Sequence, residues 1–280
     1  MDYFEIKLTF DNSEPWKEVF TSILADAGCE SFMDGKDENI LLAYIAEGVY
    51  NPLIIKKILE NHQLDVNIKY SVSKIESQDW NAIWELNYSP VLIANRCFIH
   101  APFHQARPDI EYDLVIEPKM SFGTAHHETT SMMIEFLLEE DVKGKSFLDM
   151  GSGTGILAIL AHKKGAHPIL AVDNDEWAYQ NNIENNFRNN AESIQVKLGD
   201  ASLIKNSRFD IIFANINRNI LFEDIPIYSS CLEKNGLLFL SGFYIENDLN
   251  ILVKRCLDFQ IELIHFKQNN HWAAAKFIKV

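Results

Sequence analysis

The stretch Phe147-Leu148-Asp149-Met150-Gly151-Ser152-Gly153-Thr154-Gly155 constrains this chain more than any other. An apolar run leads into three glycines at alternate positions, and a second apolar run begins at Ile156. That is the signature of a strand turning sharply into a helix, with bare backbone open to close approach by a ligand. In the dinucleotide fingerprint the third glycine comes three residues after the second. Here Gly155 comes two after Gly153, and Asp149 precedes the loop. This spacing is the one found with S-adenosylmethionine. That ligand has no pyrophosphate, so the loop accommodates a methionyl moiety, and a nearby carboxylate such as Asp149 can meet its ammonium group.

The surrounding pattern predicts a parallel, doubly wound sheet. Ser146 to Met150, Ile169 to Val172, Ser193 to Leu198, Phe209 to Ala214 and Leu237 to Leu240 are short apolar runs separated by helical patterns. Two later strand-like segments, Gln260 to Lys267 and Trp272 to Lys279, are separated by Gln268-Asn269-Asn270, a hairpin spacing. An antiparallel closing hairpin distinguishes a methyltransferase sheet from a plain Rossmann sheet. Asp173 ends the second strand 22 residues after Gly151 (173 − 151), where an acidic side chain receives ribose hydroxyls. Asp200 follows the third strand, where the adenine amine is often held; an ordinary surface aspartate is the competing reading. Asn215 ends the fourth strand, and strand C-termini are where open α/β sheets build their sites. Its amide can both accept and donate, which suits holding a methionyl group or orienting an amine; a turn-forming asparagine is the alternative.

The first 75 residues read differently. Phe4, Ile6, Leu8 and Phe10 alternate with polar residues as in a half-buried strand. Ser13 can cap a helix carrying Trp16, Val19, Phe20, Ile23, Leu24 and Ala27 on one stripe, closed by Gly28. Strand-like runs at Cys29 to Met33 and Ile40 to Ile45, a helix opened by Asn51-Pro52, and a strand at Val66 to Val72 complete a β-α-β-β-α-β order, the ferredoxin-like arrangement. Gln78 to Tyr88 reads as a short connecting helix with Trp80 and Trp84 on one face, and Pro90 to Glu117 as short strands. The predicted organisation is therefore an α+β ferredoxin-like domain over 1–75, a connecting helix and short strands over 76–119, and a Rossmann-like α/β domain over 120–280.

With 40 acidic against 25 basic residues the formal charge is −15, which opposes a phosphate-driven grip on nucleic acid and favours a basic protein partner. The four cysteines show no C-x-x-C pair and read as reduced core residues. The first residues lack the pattern of a secretory signal, and Ile156 to Val172 is interrupted by His162, Lys163 and Lys164; a cytoplasmic protein with no membrane segment is expected.

Before the sheet lies Ser121-Phe122-Gly123-Thr124-Ala125-His126-His127-Glu128-Thr129-Thr130, a polar cluster leading into a helix from Thr130 to Leu138. The adjacent histidines point apart in regular structure and lack a ligand quartet, so no metal is assigned. This segment, the Trp80/Trp84 pattern and the glycine turn together resemble the bacterial ribosomal protein L11 methyltransferase family over nearly the whole chain. The family's most specific motif, F-G-T-G-x-H-x-T-T, is matched by Phe122, Gly123, Thr124, His127, Thr129 and Thr130, with Ala125 in place of a glycine. The resemblance implies cofactor contacts at Thr130, Gly151, Asp173 and Asn215, with S-adenosylmethionine as cofactor; Phe122, Gly123, Thr124 and Gly153 join them as candidate contacts. It also implies methylation of lysine side chains and the α-amino group of one large-subunit ribosomal protein, with the N-terminal domain supplying recognition; a monomer without direct nucleic-acid contact is expected. Asn215 is the candidate for orienting the amine, no side chain being an obvious base. The alternatives are another protein or small-molecule acceptor, a non-catalytic binding module, and a nicotinamide-dependent oxidoreductase on the same sheet.

Overall fold

The computed structural model describes residues 2–11, 15–35, 37–60, 62, 64, 66–75, 88–119 and 121–280. Contacts divide the chain into two compact units, Met1–Asn87 and Tyr88–Val280. Ser13, and residues 78–87 with Trp80 and Trp84, lie outside the described residues.

The first unit runs β1 (Tyr3–Phe10), α1 (Trp16–Asp26), β2 (Ser31–Asp34), β3 (Ile40–Ala46), α2 (Pro52–Glu60) and β4 (Ile68–Ile75). The sheet order is β2-β3-β1-β4 with every neighbouring pair antiparallel, the ferredoxin-like topology. Alternation along β1 buries Ile6, Leu8 and Phe10 against Phe20 and Leu24 of α1 and Ile55 and Leu59 of α2. The end of α1 corrects one expectation: β2 starts at Ser31, not Cys29. Gly28 turns the chain at φ +100°, and the Cys29 N–H returns to the Leu24 carbonyl at 2.9 Å, so both residues close the helix. At α2 the Asn51 side-chain oxygen accepts from the N–H groups of Leu53 (3.0 Å) and Ile54 (3.3 Å), a cap that explains the helix start.

The second unit opens with a three-stranded sheet, β5 (Val91–Ile93), β6 (Cys97–His100) and β7 (Tyr112–Val115). The main sheet follows: α3 (Glu128–Glu139), β8 (Phe147–Met150), α4 (Ile156–Lys163), β9 (Ile169–Asp173), α5 (Glu176–Arg188), β10 (Gln195–Leu198), β11 (Phe209–Asn215), α6 (Arg218–Cys231), β12 (Leu232–Tyr244), α7 (Leu249–Leu257), β13 (Ile261–Asn269) and β14 (Trp272–Lys279). Its order is β10-β9-β8-β11-β12-β14-β13. The first five strands are parallel, whereas β14 inserts antiparallel between β12 and β13. The closing hairpin is thus present, as predicted. β12 is much longer than the apolar run that marked it. Each face of the sheet carries its own core. Phe147, Phe213 and Phe239 stack in turn across β8, β11 and β12 at 5.1 and 4.2 Å on one side, while Leu148, Ile212 and Leu238 line the other. The four cysteines are free and buried.

Helix α5 docks through asparagines. Asn181, Asn182, Asn185, Asn186 and Asn189 are buried, whereas Trp177 and Phe187 are 78% and 71% exposed. Asn189 accepts from the Val115 N–H (3.0 Å) and donates to the Val115 carbonyl (2.7 Å). Asn185 accepts from the Glu117 N–H (2.9 Å) and donates to the Thr154 carbonyl (3.0 Å). Asn182 donates to Ser152 Oγ at 2.9 Å. These side chains satisfy backbone on the free edge of β7 at Val115, just beyond it at Glu117 and in the glycine turn at Thr154. Replacing Asn185 with Leu keeps the branched shape and the number of heavy atoms but strips two backbone groups of their partners. We expect a loss of about 2–4 kcal/mol, checked by chemical denaturation; unchanged stability contradicts the docking role.

Candidate functional site

β8 has β9 on one side and β11 on the other, so the chain winds away from it in both directions. A crevice opens at the C-terminal end of a strand in that position. The glycine turn fills this crevice. The N–H groups of Gly151 and Ser152 both reach the Val172 carbonyl, at 2.8 and 3.0 Å. Gly153 donates to Asp173 Oδ2 at 2.8 Å, and Thr154 donates its N–H to the Phe122 carbonyl (3.0 Å) and its hydroxyl to the Gly123 carbonyl (2.6 Å). Two glycines are obligatory. Gly151 (φ +69°) would drive a Cβ to 2.0 Å from Ile216 Cγ2, and Gly153 (φ +53°) would drive one to 2.3 Å from the Phe122 carbonyl oxygen.

Over this turn lies a cavity of about 540 Å³, lined among others by Phe122, Gly151, Gly153, Asp173 and Asn215. A smaller hollow of about 70 Å³ shares Gly151 and Asp173 with it and adds Asp200. Asp173 is half-buried, and its second oxygen accepts from the Asp175 N–H at 3.0 Å, leaving lone pairs on both oxygens. Asp200 is exposed and caps a short helical turn by accepting from the Ser202 N–H at 2.9 Å; hydrogen bonding from the Ser202 hydroxyl, and then from that N–H, holds its carboxyl below the usual carboxylate range. Asn215 donates to Thr130 Oγ1 at 3.3 Å, so Thr130, fully buried and outside the cavity wall, touches the site through that amide. Gly123 and Thr124 stand behind the wall. The Gly123 carbonyl is engaged by Thr154, and the Thr124 hydroxyl lies 3.2 Å from His126 Nδ1. Asp149 is 1% exposed and also stands behind the wall. It accepts from the Ala158 N–H of α4 at 3.1 Å, and burial, reinforced by the charge of Asp173, pushes its pKa up to about 8.

Two wall atoms have no partner among the described residues: the buried side-chain oxygens of Asn215 (Oδ1) and Ser121 (Oγ). Buried polar atoms of this kind call for a ligand or water. Ser121, His127, Ile216 and Trp272 also line the cavity. His127 stood in the sequence as a motif match and a rejected metal ligand, and Trp272 as a strand residue; their meeting joins segments far apart in the chain. His127 caps α3, which begins at Glu128 rather than Thr130, and its Nδ1 accepts from the Thr129 N–H at 3.3 Å. In the neutral ring the proton therefore sits on Nε2. His126 turns the other way, with Nε2 at 2.9 Å from the Ser89 carbonyl oxygen. Ala125, where the family motif has glycine, adopts φ +69° and is 1% exposed.

Residues 3–279 match the family described as ribosomal protein L11 methyltransferase (PrmA). A protein of that name from Phocaeicola vulgatus is 42% identical, with 99% of each chain covered. Another from Bacteroides fragilis is 44% identical over 99% of this chain and 100% of its own. Among solved structures, a ribosomal protein L11 methylase from Lactobacillus delbrueckii subsp. bulgaricus superposes with a TM-score of 0.63 at 25% identity, covering 68% of this chain and 98% of that one.

The buried Asp149 generates a pH prediction. A carboxyl raised from 3.8 to about 8 holds its proton in the folded protein where the unfolded chain has released it, so its contribution to stability is complete below about pH 4 and is lost as pH rises toward 8. Asp149→Asn, which stays neutral, is expected to flatten the decline in stability between those limits. Parallel denaturation profiles for the two proteins contradict the assignment.

Proposed function

The chain belongs to the ribosomal protein L11 methyltransferase family, and on that footing we propose that it transfers methyl groups from S-adenosylmethionine to lysine side chains and the α-amino group of ribosomal protein L11. The observation that carries this reading is the unpartnered Asn215 Oδ1, buried in the cavity wall beside the glycine turn and the Asp173 carboxylate.

The residues present fit the cofactor. The bare backbone at Gly151 and Gly153 accommodates the methionyl part, Asp173 has free lone pairs for ribose hydroxyls, and Asp200 stands at the adjoining hollow, where it can accept from the adenine amine. Phe122 walls the cavity, while Gly123 and Thr124 fix the segment that clamps the turn. Asp149 supports the turn from behind. Bound there, the cofactor supplies an electrophilic methyl group on a sulfonium, which an unprotonated amine attacks in line. Asn215, its Nδ2 anchored on Thr130, stands in the cavity wall with its Oδ1 unpartnered, and that oxygen can orient an incoming N–H. The His127 ring carries its proton on the nitrogen away from Thr129, so in its neutral form it is a donor rather than a base at the cavity. Alignment of nitrogen, methyl carbon and sulfur is the principal catalytic contribution.

The chain's charge of −15 favours encounter with a basic ribosomal protein. The ferredoxin-like unit recognises the acceptor, and the enzyme works as a cytoplasmic monomer without gripping nucleic acid. No helix among the described residues is long and apolar enough to cross a membrane. The glycine spacing and the inserted strand β14 weigh against a nicotinamide oxidoreductase.

Two variants test the reading. Gly153→Ala forces a Cβ against the Phe122 carbonyl and is expected to abolish nucleoside binding in calorimetry. Asn215→Ala should lower methyl transfer to purified L11 by about 100-fold, the scale seen when one oriented polar group is removed from a reacting centre. Wild-type turnover in that variant takes Asn215 out of the mechanism.

A further inference from the structure

Aromatic rings from three distant segments meet at the cavity. Phe122 lies 5.2 Å from His127, His127 lies 4.9 Å from Trp272, and Trp272 lies 4.4 Å from Tyr244, ring centre to ring centre. Phe122, His127 and Trp272 line the same cavity as Asn215. Phe122 is 55% exposed and Tyr244 46% exposed, so the series runs from the cavity wall out to solvent. Its mounting is firm. His127 is fixed as the cap of α3, the Tyr244 N–H donates to Asp248 Oδ2 at 2.9 Å, and the β13–β14 turn is tied to α3 by Asn270 Nδ2 donating to Glu128 Oε1 at 2.7 Å. The flanking carboxylates Glu128 and Glu246 stay ionised. Backbone hydrogen bonding at Glu128 and the His271 hydrogen bond at Glu246 each hold the carboxyl below its ordinary range.

We infer that Phe122, His127, Trp272 and Tyr244 form an aromatic arc that receives the acceptor nitrogen and keeps hold of it after it has gained a methyl group. The inference rests on the amine-methylating reading above and assigns its acceptor subsite.

The chemistry favours rings over hydrogen-bond acceptors for this task. In each transfer the nitrogen lone pair forms the N–C bond while the C–S bond breaks and its electron pair stays on sulfur. The product ammonium loses a proton to water before the nitrogen can react again with a fresh cofactor. Every methyl gained removes one N–H, so an acceptor such as Asn215 Oδ1 loses its grip step by step. A ring face attracts the cation through its quadrupole whether the charge is carried by N–H or N–CH₃ groups. The arc therefore matters more to the second and third transfers than to the first.

The test follows methyl transfer to purified, unmodified L11 by intact mass and fits rate constants for successive methyl additions at one nitrogen. In Trp272→Leu and Phe122→Leu the ratio of the second rate constant to the first is expected to fall about tenfold, with Trp272→Phe restoring it. Equal slowing of all transfers, or an unchanged ratio in both leucine variants, overturns the inference, as does a wild-type protein that stops at one methyl per nitrogen. If wild-type protein binds the nucleoside in calorimetry but leaves L11 unmodified, it is the L11 reading that fails, and the two failures are thereby told apart.

Discussion

The site depends on one close approach of backbone to backbone, where the glycine turn passes under the Phe122 carbonyl. Every N–H from Gly151 to Gly155 is already engaged, by Val172, Asp173, Phe122 and Ser152. A loop held this way needs no further ordering when a ligand arrives, so the entropy of fixing it is met by folding and not by binding. The same contacts tie the segment before α3 to the end of β9, and they bring Asn215 and Asp173 to one cavity from strands on either side of β8. Asp173 is central to this, since its carboxylate both holds the turn and faces the cavity.

Much of this was legible in the residues because it is local. The glycine spacing, Asp173 and Asn215 each follow a strand whose apolar run marks it, and the C-terminal ends of such strands converge by topology alone. The alternation along β1 and the stripe on α1 likewise disclosed the ferredoxin-like unit. Where local signals failed, a competing interaction had won. Cys29 is apolar enough for a strand, yet its N–H is taken by the helix closure at Gly28. The apolar run Leu237 to Leu240 marked only the core of β12, because β11 pairs with it as far as Ser241 and β14 alone carries the strand on to Tyr244.

Helix α5 shows the limit of hydrophobic pattern most clearly. Its aromatic residues Trp177 and Phe187 face solvent and its asparagines face inward, so a reading by apolar periodicity turns the helix inside out. The reason lies outside the helix. The backbone at 115–117 and the Thr154 carbonyl of the glycine turn have groups that no strand satisfies, and an amide side chain can offer an acceptor to an N–H and a donor to a carbonyl. Buried amides are stabilising only when their partners are in place, and that depends on segments about 30 to 70 residues away.

The same distance explains why the acceptor side of the cavity was harder to read than the cofactor side. A cofactor common to many enzymes is held by turns and strand ends with recurring spacing. An acceptor specific to one enzyme is met by whatever side chains the remaining loops bring together, here one ring before α3, one at its cap, one at the end of β12 and one at the start of β14. The strain at Ala125 belongs to this side too. A left-handed alanine costs about 1–2 kcal/mol relative to its ordinary backbone. It persists because the Ala125 carbonyl accepts from Ser131 Oγ at 2.9 Å and its methyl is buried, so the segment carrying Phe122 and His127 is held by contacts that outweigh the local preference of the chain.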